Sequence, residues 1–217
     1  MKPLEINSKF FTIFFLLVYF NGNFSQEITL FQNNSIPVVV DNDTLLNPWT
    51  GGMNAVQIST IDLNNDQIED LFIFDKTGDK ILTFINTGNN YLYDPKYENF
   101  FPDELKDWVL LRDYNGDNKK DIFGSVSGGI GVWKNTSSDI LSFENLEFWH
   151  LPLNDYVPYI LSDYIDIDSS ENIETGEIII DTTITTSNIY VSYSDIPDIN
   201  DVDNDGDLDI LTFGVLG

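Results

Sequence analysis

Three nine-residue stretches carry the residues best suited to chemistry: "DLNNDQIED" (Asp62–Asp70), "DYNGDNKKD" (Asp113–Asp121) and "DVDNDGDLD" (Asp201–Asp209). Each has Asp at position 1, Asp or Asn at 3, Asp at 5 and Asp at 9. Like charges this close repel each other, so each stretch needs full solvation or a compensating cation. Calcium takes about six to eight oxygen ligands, and a loop curling around it turns alternate side chains inward. The spacing therefore predicts three calcium loops. In the third loop the expected ligands are Asp201, Asp203, Asp205, the Leu208 carbonyl and Asp209, with Gly206 easing the turn and Asp207 left to solvent. In the second they are Asp113, Asn115, Asp117, the Lys119 carbonyl and Asp121, and Asn118 at position 6 tolerates left-handed geometry. In the first they are Asp62, Asn64, Asp66, the Ile68 carbonyl and Asp70, with Gln67 a poorer choice at position 6. Affinity is expected to fall from the third loop to the second to the first.

Rival readings of the same residues are weaker. An EF-hand carries Glu at position 12 and continues as a helix. Here position 12 is Ile73, Gly124 or Thr212, and strand-like runs follow. Magnesium prefers rigid octahedral geometry with retained waters. Solvated hairpin loops without any ion are the plain alternative, above all for the first loop.

The elements that must position these loops also repeat. Apolar segments precede them ("AVQISTI", "WVLLR", "IPDIN") and strand-like runs follow ("LFIF", "IFGSV", "ILTFGV"). After the first two loops, "KTGDKILTFINTG" and "SGGIGVWKNTS" each give a Gly-containing turn, a strand and an Asn-Thr turn. The loop starts are 51 and 88 residues apart. The first interval suits one propeller blade. The second is too long for one, so residues 139–200 are expected to hold a degenerate blade or a strand-rich insertion. Within it, "GEIIIDTTITT" and "NIYVSYSDI" read as strands and "DIDSSENIETG" as an exposed loop. Two full repeats are expected over 54–138 and the start of a third over 201–217, with lead-in strands over 26–53. A closed propeller needs about 4–8 blades, so the propeller is expected to be incomplete in this chain.

Composition agrees with an all-β protein. Of 217 residues, Asp outnumbers Glu 26 to 10 and Asn reaches 23, a balance that favours turns over helices. A hydrophobic content of 42% supports a sizeable core. The net charge of −26 argues against nucleic acid, whose phosphates need clustered Lys and Arg. Cysteine is absent, which excludes disulfides, thiolate catalysis and Cys-ligated zinc, and the single His150 cannot build a multi-histidine site. Residues 1–25 read as a cleaved export signal: Lys2 and Lys9 precede the apolar run Phe10–Phe20, which is too short to span a bilayer. The expected location is secreted or on the outer cell surface, with no membrane span after cleavage.

With loops and flanks together, "DVDNDGDLDIL", "DLNNDQIEDLFIF" and "DYNGDNKKDIF" resemble the calcium-loop core of the FG-GAP/VCBS repeat family, over roughly residues 54–217 apart from the middle region. That family includes the β-propeller of integrin α subunits and many exported bacterial surface proteins. The resemblance implies propeller blades with calcium in the hairpin between the first two strands, held by the ligands named above. Asn at position 3 in two loops, and no Gly at position 6 in two, depart from the pattern. The expected function is a calcium-stabilised module for protein or glycan binding or adhesion, with calcium structural. The alternative is a scaffold, catalytic or not, within a larger exported hydrolase. The chain shows no H-E-x-x-H, G-x-S-x-G or Walker motif, and no enzyme activity of its own is expected. Trp108, Trp133, Trp149, Tyr156 and Tyr159 are candidates for a binding face, with core packing as the plainer role.

Overall fold

The strands form where β-branched and aromatic residues run between Asp-, Asn- and Gly-rich turns. The computed structural model describes residues 33–150, 152–171, 175–176 and 178–213. The expected export signal and the first lead-in residues lie outside the described residues. From Asn34 onward the chain forms one unit.

A short hairpin, β1 (Val39–Val40) with β2 (Asp43–Thr44), opens the described chain. Its turn residues Asp41 and Asn42 both have positive φ, the geometry that matches a two-residue hairpin to strand twist. Two antiparallel four-stranded meanders follow. The first contains β3 (Val56–Ile61), β4 (Asp70–Asp75), β5 (Lys80–Asn86) and β6 (Tyr91–Tyr93) in that order. A 3-10 turn, Pro95–Phe100, is capped by Asp94, whose side chain accepts from Lys96 N. The second meander contains β7 (Val109–Arg112), β8 (Asp121–Val126), β9 (Gly129–Asn135) and β10 (Phe143–Asn145). Each meander thus has a fourth strand beyond the three that the sequence repeat displays.

Three hairpins complete the described chain: β11 (Phe148–His150) with β12 (Asp155–Val157), β13 (Leu161–Glu171) with β14 (Ile178–Asn188), and β15 (Asp198–Asn200) with β16 (Asp209–Leu211). The β13–β14 ribbon corrects two sequence expectations. Asp166–Glu171, expected in a loop, belongs to strand β13, while Ile189–Ile196, expected in a strand, contains none. The Ile–Asp alternation from Ile165 to Asp168 is a period-2 signal, but its acidic half reads as loop when charge is weighed before period.

Central strands are buried on both faces, so they read as nearly continuous apolar runs. One core joins the two meanders, with Phe72, Phe74, Leu111, Ile122 and Trp133 among its buried members. Phe72 and Phe101 pack with ring centroids 4.7 Å apart. A second core, including Trp108, Phe123, Val132 and Ile199, joins the second meander to the β15–β16 hairpin. The first strands of successive units touch: β3 lies against β7, and β7 against β15. Gln57 Oε1 accepts from Val109 N at 3.0 Å, and Arg112 Nε donates to Ile199 O at 2.8 Å. The fold is therefore all-β, built of several small antiparallel sheets, with no closed barrel among the described residues.

Candidate metal sites

The three acidic loops close hairpins in one register. The residue before position 1 pairs with position 9 each time: Ile61 with Asp70, Arg112 with Asp121, and Asn200 with Asp209. Their backbones also match. Position 4 has positive φ in all three (Asn65 62°, Gly116 73°, Asn204 63°), and so does position 6 (Gln67 68°, Asn118 64°, Gly206 100°). Gln67, the residue least suited to that conformation, adopts it nonetheless.

Side-chain oxygens of the loop explain why. The position-5 amide donates to the position-1 carboxylate at 3.1, 3.2 and 3.1 Å in loops one to three. It also donates to the position-3 oxygen at 3.0, 3.0 and 3.2 Å. The position-6 amide reaches the other position-1 oxygen at 2.8, 2.8 and 3.1 Å. The position-7 amide reaches position 5 at 2.8, 2.9 and 3.1 Å. Odd-numbered acidic and amide side chains thus gather inward around consecutive amides. A carboxylate has about four lone-pair sites, so these bonds leave capacity for a cation.

This network fixes a register point. The seventh residue of the third loop is Asp207, whose amide bonds Asp205 as Ile68 and Lys119 bond Asp66 and Asp117. The expected Leu208 carbonyl is therefore one residue late, and Asp207 is the counterpart of Ile68 and Lys119. The Asp207 carboxyl is raised above the ordinary range, chiefly by the charge of Asp205.

Position 9 anchors each loop to the sheet. Asp70 Oδ2 accepts from Leu63 N at 3.0 Å and its Oδ1 from Asn86 N at 2.7 Å. Asp121 repeats this with Tyr114 N at 2.7 Å and Asn135 N at 2.6 Å. Asp209 Oδ2 accepts from Val202 N at 2.8 Å. Asp70 and Asp121 are fully buried. Burial pushes both carboxyls above the usual carboxylate range, against the amide bonds that pull them down. Among the described residues the only ion pair joins Lys96 to Asp94, so neither buried carboxylate has a cationic side chain beside it.

Asn86 and Asn135 are site residues that the sequence reading missed as such. Besides their amides on position 9, their side-chain Nδ2 groups donate to Glu69 O and Lys120 O, both at 3.0 Å. Their Oδ1 atoms accept from Gly88 N and Ser137 N. Their signal is the repeated Asn-Thr turn, which reads as a turn in the sequence and is also the clamp on the loop.

In the third loop, oxygens of Asp201, Asp203 and Asp209 lie within 4.8 Å of one another. Asn64 and Asn115 replace the equivalent carboxylate in the other loops and donate to Asp66 at 2.9 Å and Asp117 at 3.0 Å. Each of those two loops therefore carries one negative charge fewer among its inward oxygens.

The other singled-out residues divide. Trp108 and Trp133 are core residues, whereas Trp149 and Tyr156 are exposed and meet edge-to-face with centroids 5.2 Å apart. His150 sits in β11 and its Nδ1 accepts from Leu153 N at 3.2 Å. No protein-family model, curated protein or solved structure matches this chain. The resemblance to calcium-loop repeats therefore rests on the loop residues and their flanks alone. Among the described residues, no helix is long and apolar enough to cross a membrane.

Proposed function

We propose that this chain is a calcium-stabilised, non-catalytic binding module, exported from the cell and built from FG-GAP/VCBS-like propeller blades. One observation carries the metal reading. The same loop conformation occurs three times, and in two loops it buries a carboxylate that no cationic side chain among the described residues neutralises. A buried charge without a partner is costly. A bound divalent cation offsets that cost and the repulsion among positions 1, 5 and 9. Oxygen-only ligands favour a hard cation over a transition metal, and magnesium's demand for near-ideal octahedral geometry with retained waters favours calcium.

The propeller reading draws support from the meander repeat and from the packing of each unit's first strand on the next. The binding reading draws on an open groove of about 520 Å³, whose lining includes Tyr114, Phe148, Trp149 and Asp163. Tyr114 is position 2 of the second loop, and its amide bonds Asp121. Calcium there would hold one wall of the groove, where a protein or glycan partner is expected to sit.

Calorimetric titration of the purified chain with calcium, paired with melting in EDTA, tests the metal reading. Heat release at millimolar calcium and a melting temperature lowered by EDTA are expected. No heat and an unchanged melt would remove calcium from the account.

A further inference from the structure

The β13–β14 ribbon presents a face that nothing in the described chain covers. Its register places Ile165 opposite Ile184, Ile167 opposite Thr182, and Ser169 opposite Ile180. With Ile178 these isoleucines share one face, and each of the five is 56–68% exposed. The opposite face holds Ser162, Tyr164, Asp168, Ser170, Thr183 and Asp181 among others. Five isoleucines thus share one face with Asp163, Ser169, Thr182 and Thr186, while Tyr164 and Ile179 lie on the other.

The ribbon is not self-sufficient. Among the described residues neither strand pairs with any other. An isolated two-stranded hairpin is marginal in water. Asp168 also stands directly opposite Asp181, a like-charge pair that weakens it further. At its base the ribbon is well held: Asn188 Nδ2 donates to Gly128 O, and Ile160 N donates to Ile130 O at 2.8 Å. Gly128 is required there, since a Cβ would lie 2.7 Å from the Tyr159 ring and φ is +112°.

We infer that the isoleucine face of this ribbon packs against the same face of a second copy, making a twofold dimer. Area and charge carry the inference. The five isoleucines expose on the order of 500–600 Å² per copy, so a contact covering all of it on both faces would remove at most roughly 1,000–1,200 Å², which just reaches the lower bound for a specific interface. A twofold contact needs a self-complementary patch, and five isoleucines on one face give both copies the same apolar surface. Asp168 and Asp181 point away from the contact. Asp163, on the apolar face, is already bonded by Thr186 Oγ1 at 2.6 Å. Glu171 also holds a position on this face, opposite Ile178, and each chain carries a net charge of −26, so like-charge repulsion opposes the contact and salt screens it. The dimer should therefore tighten as salt rises, opposite to an interface held by ion pairs.

Sedimentation equilibrium of the purified chain at micromolar concentrations, at about 0.1 M and about 1 M salt, tests this. A monomer–dimer equilibrium that tightens with salt is expected. The double variant Ile165→Thr with Ile184→Thr keeps β-branched side chains in the strands and should weaken association about tenfold or more. Ile179→Thr, on the other face, should leave the dimer unchanged, and circular dichroism checks that the strands persist in both. A monomer at high salt overturns the proposal. So does a dimer insensitive to the double variant, and so does open-ended assembly, which would point to pairing through the ribbon's edges.

Discussion

Asp121→Asn separates the two contributions of a position-9 carboxylate. In the wild-type protein one oxygen accepts from Tyr114 N at 2.7 Å and the other from Asn135 N at 2.6 Å, with no exposed surface. The amide has the same shape but only one acceptor. Its NH2 group must face one of those donors, so one buried backbone N–H loses its partner. An orphaned buried donor costs about 1–3 kcal/mol. Removing a desolvated charge acts in the other direction, so the metal-free loss falls near the lower end, about 1 kcal/mol.

The second contribution depends on metal. Extracellular calcium modules bind with Kd of about 10⁻⁴–10⁻³ M. At ~10 mM calcium, ten- to a hundredfold above Kd, a single loop gains about 1.4–2.7 kcal/mol by mass action. For a chain of this size each kcal/mol moves Tm by about 2–4 °C, so an ion in the second loop would raise Tm by about 3–11 °C. The assay is thermal melting of wild type and variant, each in EDTA and in calcium. The variant should melt slightly lower in EDTA, and the gap should widen in calcium. An equal calcium-induced shift in both proteins would refute an ion in the second loop.

Gln67→Gly should stabilise the first loop by about 0.5–1 kcal/mol, since a left-handed non-glycine residue costs about 1–2 kcal/mol and glycine's extra unfolded-state entropy returns part of the gain; a lower urea midpoint for the variant would contradict the strain. Asp75 accepts from the amides of Asn54, Thr77 and Ala55, which hold its carboxyl below the usual range. Its stabilisation is present above the unfolded value of about 4 and is lost as pH falls through the folded value, so Asp75→Asn should flatten the acid limb of a stability–pH curve. Asp70 and Asp121 act with the opposite sign: burial raises them, so the metal-free chain should gain stability as pH falls from their folded values toward the ordinary carboxylate range. Calcium should remove that gain, and denaturant titrations with and without EDTA across pH 4–7 would show it. Phe72→Ala, a fully buried ring packed on Phe101, should cost about 3–5 kcal/mol by urea denaturation.

The loops and the all-β class were legible in the sequence because Asp at positions 1, 5 and 9, with Asp or Asn at 3, has few other uses between two apolar runs. The fourth strands were not, because β6 and β10 are three residues each and too short to show a period. The ribbon was half legible. "GEIIIDTTITT" announced β14, while its partner β13 was hidden by its acids. The spacing marks position 9 as a ligand, but its burial and its amide from the third strand depend on sheet register, which no local spacing encodes.

Glycine at position 6 is where local reasoning was outweighed. Three residue types there share one positive-φ backbone, so glycine is not what bends the chain. The bend comes from amides 5, 6 and 7 closing on oxygens 1, 3 and 5, with four bonds in every loop. At about 1 kcal/mol or more for each bond to a charged acceptor, the network exceeds the cost of a left-handed residue. Shape is thus set by the side chains themselves. On the proposed reading, what a bound metal would add is compensation for charge gathered at the loop's centre and buried at position 9. It follows that chelation should lower the free energy of unfolding while leaving the loop backbone in place. Amide exchange at positions 5 to 7 should then rise only as far as global stability falls, and selective loss of protection there would mean that the ion, not the carboxylates, shapes the loop.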